Sequence, residues 1–464
     1  MSVRALFILV GHLGTAAVVV GLVLRPEPEP DGLGPLRWVI AALMLPGIVR
    51  LVVMLTTSPW NDLVQRRRDR AARSATYRPF VSVIVPAWNE EVGIRTTVSS
   101  LLASDYPDLE VVVVNDGSTD GTEDVVLRLL DEERARGDRG RTLVYRRQPN
   151  AGKARALNHG VRVARGEIIV TVDADSVVEP DAIGRIVDRF ADPRVMCVAG
   201  NVKIGNPGSV LGTVQRFEYL MGFFSKNADS ILGSVYIVGG AAAAYRRSVL
   251  EEVGEFAVDV ITEDIEMSTR ILEAGHRIEY APRAVVWTEV PSELPGLARQ
   301  RLRWKHGRLI TFFRYRRMFF SVEPRHGRWL TAVALPLALL GDVLLLLQPA
   351  AVALAGYSVL VRGDHLPMVV FLVVVAAVVA LQVLLDPRRR NALGVLWLAP
   401  AAWLPMLVID AVELQAVVRS VHRLVRGQDL QWQRWQRRGA FDASAGEPVS
   451  VDPPRPPSGA PRGG

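Results

Sequence analysis

The chain has 464 residues, 49% of them hydrophobic, with a formal net charge of +7 and a pI near 9.8. That length exceeds one ordinary core, and that apolar share is high for a protein living wholly in water. The single cysteine, Cys197, excludes internal disulfides and any thiolate metal cluster.

In chain order, residues 5–24 and 37–58 are apolar stretches of about the 20 residues that a bilayer requires. A Pro- and acid-rich loop, Arg25 to Leu36, separates them. The first is not read as a cleaved leader, because it lacks a small-residue cleavage site and a second span follows at once. Residues 1–60 are therefore expected to form two transmembrane helices. Composition is that of a soluble domain over 61–293, and an Arg-rich amphipathic, interfacial segment follows at 294–327. Apolar runs return within 328–420, at 329–361, 366–385 and 392–418, interrupted by Asp342, Arg362, Asp364 and Asp410. Buried ionisable groups in such segments read as functional, channel-lining or cap residues. The remainder, 421–464, is basic and then rich in Pro and Gly, the composition of a disordered tail.

Short cytoplasmic loops collect arginine. Arg66-Arg67-Arg68-Asp69-Arg70 follows the second span, and Arg314, Arg316, Arg317, Arg325 and Arg328 precede the third. Both place the central domain in the cytoplasm of a multi-pass plasma-membrane protein. Arg388-Arg389-Arg390 and the basic segment Arg419 to Arg438 both ask for the inside, which conflicts with a single crossing at 392–418. The basic residues cluster beside spans and no nucleic-acid motif is present, so the bilayer and a diphosphate substrate account for them and no nucleic-acid partner is expected.

Within the central domain, Val81 to Pro86, Val111 to Val114 and Ile168 to Val172 are β-branched runs, with helical patterns at 90–104, 121–136 and 151–164 between and after them. Continuous apolar strands separated by helices imply an α/β fold with a mostly parallel sheet covered on both faces. Ligands bind such sheets at the carboxyl ends of the strands.

Polar residues gather at those ends. Trp88-Asn89-Glu90-Glu91 follows the first strand, as a helix cap or a ligand contact. Asn115-Asp116-Gly117-Ser118 ends the second, as a dense turn or with Asp116 accepting from a nucleobase or ribose. Lys153, one of four lysines among 55 basic residues, opens a helix after Gly152 and suits a uracil or phosphate. Asp173-Ala174-Asp175 ends the third strand. Adjacent carboxylates repel unless a cation bridges them, and hard oxygen ligands suit Mg²⁺ or Mn²⁺ with a diphosphate completing the shell. Thr262-Glu263-Asp264 supplies a candidate base in Asp264, or an ordinary helix start. Gln300-Arg301-Leu302-Arg303-Trp304 offers Arg303 for a diphosphate and Trp304 for a sugar, or anchors an interfacial helix.

The order of these elements resembles processive family-2 glycosyltransferases of the GT-A fold, and the chain is similar to bacterial poly-N-acetylglucosamine synthases over about residues 37–430, more distantly to chitin, hyaluronan and cellulose synthases. The resemblance implies a Rossmann-like GT-A domain between membrane helices that transfers a sugar with inversion from a UDP-sugar, UDP-N-acetylglucosamine for preference, to a growing polysaccharide. It implies Asn89, Glu90, Asp116, Lys153, Asp173 and Arg303 on the nucleotide and donor, Asp175 with Asp173 on the metal, and Asp264 as base with Asp173 beside the reacting sugar. Glu263, Gln300, Arg303 and Trp304 would close over the diphosphate and acceptor, and Val238-Gly239-Gly240-Ala241 would face the acceptor. An accessory membrane subunit or export partner is also expected. The alternatives are transfer to a lipid carrier and an inactive nucleotide-sugar sensor.

Overall fold

The computed structural model describes residues 3–23, 34–73, 77–137, 141–206, 209–361, 363, 365–401, 403–428 and 430. The loop at 24–33, Arg362, Asp364 and the tail from 431 onward lie outside the described residues.

The chain begins with α1 (Val3–Val23) and α2 (Gly34–Arg73). The next part runs β1 (Val81–Ala87), α3 (Ile94–Leu102), β2 (Leu109–Asp116), α4 (Thr122–Arg136), β3 (Arg141–Gln148), α5 (Lys153–Val163) and β4 (Ile168–Thr171). Then come β5 (Ser176–Val178), α6 (Ala182–Val187), β6 (Val195–Ile204), α7 (Val210–Ile231), β7 (Ala243–Arg246), α8 (Arg247–Val253), α9 (Glu263–Glu273) and β8 (Arg277–Thr288). The last part holds α10 (Leu294–Arg314), α11 (Leu335–Leu360), α12 (Leu366–Leu385), α13 (Arg389–Ala392) and α14 (Trp403–Val425).

The strands form one sheet in the order β3-β2-β1-β4-β7-β6-β8-β5. The four on the β3 side run parallel, as does β6 with β8, while β7 opposes both β4 and β6. Alternation explains the apolar strands. Val81, Val83 and Val85 join Ile94, Val98, Val126 and Ile183 in one core, and Ile84, Val112 and Val114 join Leu157, Val249, Met267 and Ile271 in the other. With helices on both faces, neither side of these strands meets water. Because β7 is antiparallel, Ala243 pairs with Thr171, so the Gly239-Gly240 loop before β7 meets the Asp173 turn after β4 at the same sheet edge.

Two stretches, Leu330–Ala350 and Met368–Leu385, are long and apolar enough to cross a membrane. The apolar run at 392–418, where the arginine distribution conflicts with a single crossing, forms two helical pieces, Leu393–Ala401 and Leu404–Val425, meeting at 83°. Pro400 and Pro405 flank the junction, where proline breaks the helical hydrogen-bond ladder. Similarly, α2 does not stop near 58 but continues through Pro46 and Pro59 to Arg73.

The long helix α7 joins domain and membrane segments. Phe224 packs with Ala16, Leu55 and Val378, Phe217 with Val379 and Ala399, and Val214 with Leu297, Ile409 and Val412. Before α11 a π-helical turn, Leu330–Ala334, buries Leu330 and Ala334 in the domain core beside Phe312 and Met318.

Candidate active site

The carboxyl ends of β1, β2 and β4, the loop before β7, the start of α9 and one side of α10 enclose a cleft of about 680 Å³. Glu90, Asp116, Lys153, Asp173, Asp175, Glu263, Asp264, Gln300, Arg303 and Trp304 all line it. Asn89, expected on the donor, does not. It sits at φ 54°, and its side chain accepts the Thr119 N–H at 2.7 Å while Ser118 Oγ accepts its own N–H at 2.9 Å. The left-handed turn thus spends Asn89 on pinning one loop to another.

Asp116 is also tied to protein donors. Its carboxylate accepts from Gln148 Nε2 at 2.7 Å and from the backbone N–H groups of Ala151 and Gly152 at 2.9 and 2.8 Å. This holds the loop entering α5, whose Gly152 lies at φ 95°, a region open to glycine. Lys153 follows, and its Nζ lies 2.6 Å from Asp173 Oδ1 and 3.2 Å from Glu263 Oε1. Burial works against the Lys153 charge, and Asp173, Glu263 and Asp264 overcome it, so its pKa is held above the ordinary value. Burial in turn pushes the Glu263 carboxyl up, against the pull of Lys153.

Gly240 meets this cluster from the other side. A Cβ there would lie 2.8 Å from Lys153 Nζ, 3.6 Å from Asp264 Oδ2 and 3.7 Å from Asp173 Oδ1. One glycine therefore faces the three charged groups read separately from sequence. Asp264 stands in the first turn of α9, where its Oδ1 accepts the Ile265 N–H at 2.9 Å and the helix dipole favours negative charge.

The Asp173-Ala174-Asp175 turn is fixed from below: Thr97 Oγ1 donates to Ala174 O at 2.8 Å. Asp175 is buried, and its Oδ1 accepts from Ser176 Oγ and Thr288 Oγ1, each at 3.3 Å. Among the described residues no group of three or more His, Cys, Asp or Glu side chains gathers to hold a metal. The donor set at this turn, two hard carboxylates, fits a Mg²⁺ or Mn²⁺ that completes its shell with phosphate oxygens and water.

The helix α10 carries Gln300, Arg303 and Trp304 into the cleft. It is packed, with Arg301, Lys305 and His306 buried. Gln300 Oε1 is buried and has no hydrogen-bond partner among the described residues. Arg301 pairs with Glu218 Oε2 at 2.6 Å and lies 4.5 Å from the centre of the Trp304 ring, which fixes that ring at the cleft. Gly307 brings α10 against the start of α9, since a Cβ there would fall 2.1 Å from Thr262 Oγ1. Lys305 Nζ lies 2.8 Å from both Asp342 and Glu413, and Arg308 also pairs with Asp342. Asp342, read from sequence as a functional, channel-lining or cap residue of an apolar run, is thus an anchor for α10. Asp410 accepts from Gln348 Nε2 at 2.6 Å.

Sequence reading passed over Lys226, Lys305, Glu218 and Glu413, which also line the cleft. A signal for the lysines was present. Lys153, Lys226 and Lys305 line this cleft and Lys203 a neighbouring cavity, so all four lysines of an arginine-rich chain lie in cavities. Lys226 is half-buried, 5.1 Å from the Phe223 ring centre, with Nζ 3.5 Å from Val238 O.

Residues 78–307 match the family described as glycosyltransferase-like family 2. The poly-beta-1,6-N-acetyl-D-glucosamine synthase of Staphylococcus epidermidis is 33% identical over 230 residues, 49% of this chain and 54% of that relative. The enzyme of the same name from Staphylococcus aureus strain COL is 34% identical over the same share. The chain thus spans about half the length of the curated relatives it matches. A solved mannosyltransferase from Pyrobaculum calidifontis, in complex with GDP-Man and Mn²⁺, is similar at 26% identity with a TM-score of 0.50, covering 83% of this chain and 100% of that one. The expected GT-A fold and family-2 resemblance are borne out by these matches.

Proposed function

From the premise that residues 78–307 are a family-2 glycosyltransferase domain, we propose that the chain is a membrane-bound inverting glycosyltransferase, extending a polysaccharide from a UDP-sugar. One observation carries this reading: Lys153, Asp173 and Asp264 converge on the Cβ direction of Gly240 in a cleft closed by Gln300, Arg303 and Trp304. The named relatives favour N-acetylglucosamine as the sugar. The apolar helices beside the domain favour a membrane location with the catalytic domain in the cytoplasm, and a polymer that leaves across the bilayer.

In this reading Asp264 accepts the proton of the attacking acceptor hydroxyl as the anomeric carbon inverts. Asp173 and Lys153 hold the donor sugar and its phosphates, and Glu90 and Asp116 define the nucleotide end. Trp304 stacks on the acceptor, while Glu263, Gln300 and Arg303 close over the diphosphate. Asp175 with Asp173 would hold Mg²⁺ or Mn²⁺, which supplies neutralisation of charge on the departing diphosphate. The metal in the mannosyltransferase complex supports this.

The deciding experiment is release of nucleoside diphosphate by the purified protein in nanodiscs across UDP-sugars and GDP-mannose, beside Asp264→Asn. Turnover with one UDP-sugar, lost in the variant and giving a product that the matching glycanase digests, is expected. Turnover with GDP-mannose and a lipid carrier alone would favour a second reading, single-sugar transfer to a lipid.

A further inference from the structure

A second cavity, of about 60 Å³, lies between β6, α7, β8 and the end of α12, separated from the cleft by Val202, Tyr219 and Phe223, which line both. At that size it has room for roughly four water molecules, and so for one phosphate group. Its charged lining is Lys203, Arg216, Arg283, Asp386 and Arg388, and Trp287 stands beside them.

The ion pairs there leave the Arg216 guanidinium out. Lys203 pairs with Asp386, and Arg388 pairs with Glu179, which also accepts from Trp287 Nε1 at 3.0 Å. Arg216 is half-buried and makes no hydrogen bond or ion pair among the described residues; the Asp386 carboxylate acts on it only from a distance and is already paired with Lys203. A guanidinium does not escape the cost of burial by losing its proton, so an unpaired one asks for an anion, and its planar fork matches phosphate oxygens.

Position names the source of that phosphate. Leu385, at the end of the apolar stretch Met368–Leu385, lines the cavity, at the level where a bilayer places its headgroups. Arg216 lies against the start of the Leu393–Ala401 helix, its nearest guanidinium nitrogen 3.9 Å from where a Cβ on Gly394 would be. On that helix Leu393 and Trp397 are 51% and 74% exposed, an apolar surface for acyl chains beside the charge.

We propose that this cavity binds the headgroup phosphate of an anionic membrane phospholipid, with Arg216 as its ion-pair partner. The site is distinct from the donor cleft, and it stands on the membrane placement of the helices whether or not the proposed transfer reaction is correct. Lipid bound there would brace α7 against α12 and the Leu393–Ala401 helix, and α7 walls the donor cleft on its other side.

The test is native mass spectrometry of the full chain, delipidated in neutral detergent and titrated with phosphatidylglycerol, phosphatidylcholine or inorganic phosphate. Wild type should retain one phosphatidylglycerol in preference to phosphatidylcholine, Arg216→Gln should weaken that binding about tenfold or more, and Arg216→Lys should keep part of it. Equal retention of the two lipids by wild type overturns the proposal even if neither variant folds. So does undiminished phosphatidylglycerol binding by a folded Arg216→Gln. Displacement of the lipid by millimolar inorganic phosphate would make this a soluble-phosphate site, and displacement by a product oligosaccharide would make it a saccharide site; either also overturns the lipid assignment.

Discussion

The Lys153 ammonium rests 2.6 Å from the Asp173 carboxylate, so the strand end that carries the paired aspartates and the helix start that carries the lysine are one electrostatic unit. In the proposed reaction the diphosphate enters beside a cation that carboxylates have already oriented. Lys153→Met should therefore weaken nucleoside diphosphate binding about tenfold or more. Asp264→Asn should leave that binding intact and lower kcat by roughly 10² to 10⁴. Isothermal titration beside turnover separates the two effects, and a common loss of binding would remove Asp264 from its role as base.

Chelation should abolish turnover, and Mn²⁺ or Mg²⁺ should restore it. Asp175→Asn should raise the metal concentration for half-maximal rate about tenfold or more, without altering thermal unfolding by more than a few degrees. Unchanged metal dependence in this variant would point to a different ligand.

Gly307→Ala places a methyl group where Thr262 stands, 2.1 Å from Oγ1 and 2.6 Å from Cγ2. A β-branched neighbour cannot swing clear, so α10 must move away from the Glu263-Asp264 turn. Overpacking of this kind costs about 1–3 kcal/mol. The expected outcome is a lowered Tm together with reduced kcat, and the double substitution Gly307→Ala with Thr262→Ser should recover part of both.

Asp342→Asn leaves Lys305 and Arg308 without the buried carboxylate they share. Removing one partner of such a cluster costs about 3–5 kcal/mol. Thermal unfolding in detergent should show it as a large fall in Tm, and the reverse-sign control, Lys305→Met, should show a smaller one because Arg308 still pairs with Asp342. Equal stability of Asp342→Asn and wild type would mean that the ion cluster does not anchor α10.

Burial pushes the Lys226 ammonium down from 10.5 to about 8, against the pull of the Asp264 and Asp229 carboxylates. With the folded pKa below the unfolded one, the unfolded chain binds more protons between pH about 8 and 10.5, so this group makes stability rise with pH across that window. Lys226→Met should flatten the rise in Tm over the same range. A slope that persists unchanged would place Lys226 in water.

The strands and most of the site were legible because the signals are local. Apolar runs such as Val111 to Val114 read as doubly covered strands, and Asp116, Lys153, Asp173, Asp175 and Asp264 each stand within a few residues of a strand end or helix start. Asn89 shows the limit of that logic: it stands beside a strand end, yet its backbone sits at φ 54° and its side chain holds a neighbouring loop instead of lining the cleft. Lys226 and Glu413 stand at no strand end or helix start; they lie within long helices and reach the cleft only because α7 and α14 pack around it.

By itself, then, the sequence determined the parallel α/β core, the carboxylate-rich strand ends and the apolar helices, since periodicity, turn chemistry and hydropathy act over a few residues. Only the tertiary structure decided that Gly240 faces three charges, that Gly307 seats α10 on Thr262 and that Asp342 holds Lys305 and Arg308. Those relations join residues 24 to 87 positions apart, and close packing and buried charge pairing set them, acting through space without leaving a pattern along the chain.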